Sequence, residues 1–175
     1  MIFNALSTVA DELNQFFRNK FSQTEDKVIL ANLINQDGSL ALTESDKVIM
    51  TLVNIQQERS TASSRQESSI KINLYVLFTA YFTGKNYPES LKFLSAILGF
   101  FQANNVMDGQ NTPNLDSDIE KLTFEIENMT IPDLSNLWGS LGGKYLPSVV
   151  YKVRLLAITE NTVSIESPRL GLSQK

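Results

Sequence analysis

The run Ile70-Lys71-Ile72-Asn73-Leu74-Tyr75-Val76-Leu77-Phe78-Thr79-Ala80-Tyr81-Phe82 constrains the fold more than any other stretch of this chain. Its residues alternate with period two, which puts Ile70, Ile72, Leu74, Val76 and Phe78 on one face of a long strand. Lys71, Asn73, Tyr75 and Thr79 make the other face more polar. Leu77 is the exception on that face, and a helix over that end of the strand would cover it.

The flanking sequence supplies the rest of a sheet and its helices. Residues 2–19 read as an amphipathic helix, with Ile2, Leu6, Val9, Leu13 and Phe16 in one stripe. Asn4, Asp11, Asn14 and Arg18 fall largely on its other side. Lys27 to Leu33 is a short β-branched run, and Asp37-Gly38 follows in a turn context. In Lys47 to Ile55 both faces are mostly apolar, as in a strand covered on both sides. Pro88-Glu89-Ser90 opens a helix on which Leu91, Leu94, Leu98 and Phe101 run down one face, with Ile97 beside them. Residues 104–118 read as a polar loop. Ile119 to Asn128 alternates, with Leu122, Phe124 and Ile126 inward. Ile131-Pro132-Asp133-Leu134 starts a short helix that Gly142-Gly143 ends, and Val149 to Ile158 is the last strand. The expected fold is α/β (α+β): a mixed, mostly antiparallel sheet of about five strands flanked by helices. Residues 1–159 form one domain and 160–175 a polar carboxy-terminal tail.

Residues 56–69 are polar and low in complexity and carry Arg59 and Arg65. They read either as a solvated loop or as a segment that orders on binding, and the tail shares that second reading.

Composition removes several chemistries. The chain has no Cys and no His among its 175 residues. Disulfides, thiol nucleophiles, imidazole bases and Cys/His zinc sites are excluded. The net charge is −4, with 15 Lys and Arg scattered among 19 Asp and Glu, which argues against binding nucleic acid through its phosphates. No apolar run is long enough to span a bilayer. The opening residues Met1 to Leu6 lack the basic region of a signal peptide, so assembly in the cytoplasm is expected.

No phosphate loop, dinucleotide loop or nucleophile elbow is present. Gly139 to Gly143, with Lys144 beside it, follows a helical stretch instead of preceding one and reads as a helix stop. The acid pairs Asp116/Asp118 and Glu125/Glu127 read as solvated charge. Asp108, Asp116 and Asp118 could hold a hard cation, but their spacing is not that of an EF-hand. No catalytic residue, metal or cofactor is expected, and the protein is not read as an enzyme. Trp138 has two readings, an interface anchor or a core residue under the sheet, and the core reading is favoured; the same holds for Tyr75, Tyr145 and Tyr151.

Several stretches taken together resemble one family. They are Leu52 to Arg59, Leu74 to Ala80, Asn86 to Ser95, Gly99 to Gln102, and the run Leu134 to Arg154 with its Leu137-Trp138, Leu141-Gly142, Tyr145 and Pro147-Ser148-Val149 elements. The sequence resembles the amino-terminal domain of the cap, or tail-terminator, proteins of extracellular contractile injection systems of the antifeeding-prophage type. The resemblance runs from Met1 to about Ile158. It implies a phage tail-terminator-like fold and a hexameric ring at the end of the particle away from the baseplate, where it stops tube and sheath growth. The implied partners are further copies of the chain, inner tube and/or sheath subunits, and a longer cap paralogue, with no nucleic acid and no membrane span. The implied location is the particle itself, cytoplasmic or released. Longer members carry a carboxy-terminal extension, so capping alone, sharing the cap, and contacting tube but not sheath all stay open. Arg59, Arg65, Trp138, Lys144, Tyr145 and Tyr151 are the candidate contacts between subunits or with tube and sheath. The alternative is an adaptor that recruits cargo or anchors the particle.

Overall fold

The computed structural model describes residues 1–35, 37–39, 41, 44–58, 69–142 and 144–158. In chain order its elements are α1 (Ile2–Phe21), β1 (Val28–Leu30), β2 (Lys47–Gln57), β3 (Ser69–Tyr81), a 3₁₀ turn (Gly84–Asn86), α2 (Tyr87–Ala103), β4 (Val106–Asp108), β5 (Ile119–Ile126), α3 (Ile131–Leu141) and β6 (Ser148–Ile158). The fold class is as expected. The strand count is six instead of about five, in the order β1-β2-β3-β6-β5-β4. β1 pairs parallel with β2 and every other pair is antiparallel. The alternating run becomes β3, which sits at the centre of the sheet paired with β6, from Ser69 opposite Ile158 to Thr79 opposite Ser148.

The added strand is β4, inside the stretch that reads as a loop. A strand this short on a sheet edge needs no alternation to pair, so periodicity does not reveal it. The ends of the 56–69 segment also differ from expectation, because β2 continues through Gln57 and β3 starts at Ser69. Residues 59–68, with Arg59 and Arg65, and the tail 160–175 lie outside the described residues.

One face of the sheet is covered by α1 and α2. Leu6, Val9, Leu13 and Phe17 of α1 and Phe93, Ile97, Phe100 and Phe101 of α2 pack on Val48, Met50, Leu74, Val76, Phe78, Leu122, Phe124 and Val153. The layer is rich in rings. Phe17 meets Phe93 edge to face at 5.0 Å, and Phe101 stacks on Phe124 at 4.5 Å, geometries that add to the area they bury.

The other face is covered at one end, where α3 lays Trp138 over Ile49, Leu77 and Val150, with Leu33 beside them. This explains the apolar second face of β2 and the anomalous Leu77. α3 is fixed at both ends. Thr130 Oγ1 accepts from the Asp133 N–H at 3.3 Å and donates to the Asp133 carboxylate at 2.6 Å, a side-chain cap. Gly142 closes the other end at φ 70°, a conformation that glycine adopts without steric penalty.

Candidate interaction surfaces

A sheet with two edges exposes unpaired backbone unless something covers it. Here an asparagine amide covers each outermost strand. On its inner side β1 bonds β2, with Val48 N–H donating to the Lys27 carbonyl at 2.7 Å and Ala31 N–H to the Met50 carbonyl at 3.2 Å. Val28 therefore turns its own N–H and C=O outward. Asn14 of α1 meets both: its Oδ1 accepts from Val28 N–H at 2.8 Å and its Nδ2 donates to Val28 C=O at 3.0 Å. The Lys27 N–H donates to the same Oδ1 at 2.9 Å. Asn14, which its spacing puts on the polar side of the helix, is thus buried.

At the opposite edge Phe124 N–H donates to the Asn105 carbonyl at 2.9 Å, so Val106 and Asp108 face outward. Asn111 Oδ1 accepts from Asp108 N–H at 2.9 Å and its Nδ2 donates to the Val106 carbonyl at 3.0 Å. Each amide takes the place of a missing neighbouring strand. β1 pairs with β2 only from Val48 to Met50. Farther along β2, Asn54 Oδ1 accepts from the Ile55 N–H at 2.8 Å.

Apolar surface remains on the helices. On α2 the buried residues are Ser90, Phe93, Ala96, Ile97, Phe100 and Phe101, while Leu91 and Leu98 stand exposed beside Tyr87. This corrects part of the expected stripe: Phe101 and Leu94 pack on the core as expected, with Ile97 beside them, and Leu91 and Leu98 do not. Ile126, read as inward, is also exposed. It borders a hollow shared with Leu98, Gln102 and Phe124. Across the sheet, the flank of α3 beside Tyr145 holds a second hollow of about 540 Å³, lined by Ile131, Leu134, Ser135, Trp138, Gly139 and Tyr145.

The other end of that second face is polar. Tyr75, Lys152 and Glu125 follow one another across β3, β6 and β5, with Asn73, Arg154 and Thr123 in the next row. Glu125 pairs with Lys152 at 2.8 Å and Arg154 at 3.6 Å. The hydrogen bond from Lys152 is the main reason its carboxyl is held below the usual carboxylate range, helped by both positive charges.

The candidate contact residues separate. Trp138 is buried in the second core, and its Nε1 is among the buried polar atoms without a partner. Tyr151 is buried on the first face, edge to face with Phe78 at 5.8 Å, and burial pushes its phenol up to about 12. Tyr145 is not a core residue. It is exposed and sets its ring against Trp138 at 5.8 Å, with exposed Lys144 next to it in the chain. Trp138 and Tyr145 are therefore brought together, and Tyr151 is held apart from them on the opposite face. Tyr87, Leu91, Leu98, Ile126 and Ile131 are surface residues that sequence reading missed; for the three on α2 the available signal was the spread of apolar residues around most of that helix. Among the described residues no group of three or more carboxylates is placed to hold a metal ion, and no helix is long and apolar enough to cross a membrane.

Residues 5–170 match the family of the Pvc16 N-terminal domain. Two solved structures share the fold. One is the sheath/tube terminator, in its extended state, of PVC, an extracellular contractile injection system; it is similar over 100% of this chain and 62% of its own, with a TM-score of 0.63 and 16% identity. The other is the tube-terminating cap of the anti-feeding prophage, similar over 95% of this chain and 60% of its own, with a TM-score of 0.55 and 15% identity. The chain thus spans less than two thirds of the length of either. No curated protein matches it in sequence.

Proposed function

This chain belongs to the Pvc16 N-terminal domain family, and from that premise we propose that it is a terminator subunit of a contractile injection particle. In this reading copies of the chain form a ring, a hexamer, on the baseplate-distal end of the tube and sheath, where they end polymerisation and stabilise the particle. The observation that carries it is likeness from end to end: the family match spans residues 5–170, and the PVC terminator is similar over the whole chain.

The chemistry of the surface supports a structural role over a catalytic one. What stands out is apolar relief on helices and sealed outer strands, which suit packing against protein. A cap needs one surface that matches a growing tip and another that accepts no further layer; a closed ring supplies both. Lys144 and Tyr145 are the candidate contacts that stand on the described surface. The partners in this reading are tube and sheath subunits, with assembly in the cytoplasm.

The test is growth of tube and sheath in the presence and absence of the purified protein, followed by electron microscopy. Addition should hold polymers to a fixed length and place density at one tip. A strain lacking the gene should yield sheaths of abnormal or unstable length. Unchanged lengths in both experiments would overturn the assignment.

A further inference from the structure

The helices on the two faces of the sheet are held very differently. Eight residues of α1 and six of α2 are buried, against Trp138 alone in α3. Leu134, Leu137 and Leu141 are only partly buried around it. Among the described residues no hydrogen bond or ion pair joins α3 to the sheet; its side-chain bonds lie within its own cap. Hollows run along both of its flanks, one of about 540 Å³ beside Tyr145 and one of about 440 Å³ that reaches Val53, Tyr75 and Val150 on the sheet.

The side that α3 covers also hides polar atoms without compensation. Four buried side-chain polar atoms have no hydrogen-bond partner among the described residues, and all four lie there: Trp138 Nε1, Thr79 Oγ1, Ser148 Oγ and Asn73 Oδ1. Thr79 faces Ser148 across β3 and β6, and Leu77 faces Val150 in the next row of that face, beneath the helix. A hydroxyl or N–H that is kept from water without a partner penalises the state that hides it.

We propose that α3 is a lid, which lifts from the sheet as a unit and carries Trp138 out of the small core while the main body stays folded. An element held by few buried apolar contacts opens at a lower free energy than the rest of its domain. Lifting also returns Trp138 Nε1, Thr79 Oγ1 and Ser148 Oγ to water. The chain is pinned to the sheet on either side of the lid. Glu127 N–H donates to the Val150 carbonyl, and Ala80 N–H donates to the Pro147 carbonyl, each at 2.9 Å. The arm between these pins can move without unpairing β5 from β6. Tyr145, whose ring rests on Trp138, belongs to that arm. The open form exposes Ile49, Leu77 and Val150, which the closed form buries. The device does not depend on the terminator reading.

Native-state amide exchange of the purified chain in low urea tests this. The amides of Leu137 and Trp138 should exchange about 100-fold faster, or more, than those of Leu74 and Val76 in β3. Their opening should depend less on urea, because it bares less surface than global unfolding. Acrylamide should quench Trp138 at urea concentrations too low to unfold the main body. Thr79→Val removes one hidden hydroxyl and keeps the branched shape, so it should slow exchange in α3 several-fold. Fraying of a helix end would not respond to position 79. Ser148→Ala carries the same test should Thr79→Val fail to fold. Exchange in α3 at the rate and urea dependence of β3 would show that the helix leaves only with the whole fold, and would overturn the proposal. Exchange in α3 that both substitutions leave unchanged, or speed up, would overturn it as well.

Discussion

Asn14 holds both backbone groups of Val28, donating to its carbonyl at 3.0 Å and accepting from its N–H at 2.8 Å. Both residues are buried, so an amide on a helix stands in for a neighbouring strand where water does not reach. Removing it strands two backbone groups, at about 1–3 kcal/mol each. Asn14→Ala should therefore lower stability by roughly 3 kcal/mol, with Tm falling about 2–4 °C per kcal/mol in a chain of this size. Urea unfolding measures this, and amide exchange at Val28 should speed up. Stability equal to wild type would refute the role given to Asn14.

Asn111 makes the same pair of bonds at the far edge, but it is exposed. Water can replace it, so Asn111→Ala should cost only about 1 kcal/mol. Its effect should appear as association, because β4 then presents free backbone to other chains. Light scattering on mild heating should rise earlier than for wild type. Identical scattering curves would mean that the amide does not guard the edge.

Leu77 is fully buried in the small core beneath α3. Leu77→Ala should cost about 2–5 kcal/mol, the range for deleting a core leucine. The single tryptophan reports the place of the damage. Trp138 emission should shift to the red at lower urea than far-ultraviolet circular dichroism changes, as α3 loosens first. Coincident transitions would show that α3 and the main core melt as one unit.

Burial holds the Tyr151 phenol at about 12, above the ordinary value of 10.0. The folded state therefore keeps this proton after the unfolded chain has lost it. The contribution to stability is complete below about pH 10 and is lost as the pH climbs towards 12. In Tyr151→Phe the alkaline fall in stability should be shallower. In a spectrophotometric titration of the five tyrosines, a late-ionising step should be seen in wild type and vanish in the variant.

Gly142 ends α3 at φ 70°, and a Cβ placed there would meet nothing within 4 Å. The penalty for a side chain is thus conformational and not steric crowding by neighbours. Gly142→Ala should cost about 1–2 kcal/mol, the left-handed backbone penalty. Gly142→Asn should cost less, since asparagine tolerates that region. Equal thermal midpoints for the two variants would remove the cap as a constraint on α3.

Where strands are long, their alternation locates them, and β3, β5 and β6 lie close to where that pattern puts them, although Val76 to Ala80 of β3 are buried on both faces. Leu77, out of place on a polar face, pointed to a covering helix, which is α3. The surfaces were harder to read. α2 is apolar around so much of its girth that helical spacing allows more than one buried side. The rings of Phe93 and Phe100, packed among Phe16, Phe17 and Phe101, occupy the inner one and leave Leu91 and Leu98 outside. Ile126 keeps its alternation, but it lies where the helix layer leaves the sheet open. Asn14 and Asn111 were illegible because a polar residue that bonds an edge backbone looks, in sequence, like one that bonds water.

Helix α3 backs only one end of its face, so the described body is three layers deep over Ile49, Leu77 and Val150 and two layers deep over Asn73 and Arg154. A helix layer adds about 10 Å, which gives the body the taper of a voussoir. Blocks of that profile, set side by side with their thick ends aligned, lean by a constant angle at every joint. The curvature of an arch is then carried in the outline of a single block, and no joint has to be bent to produce it.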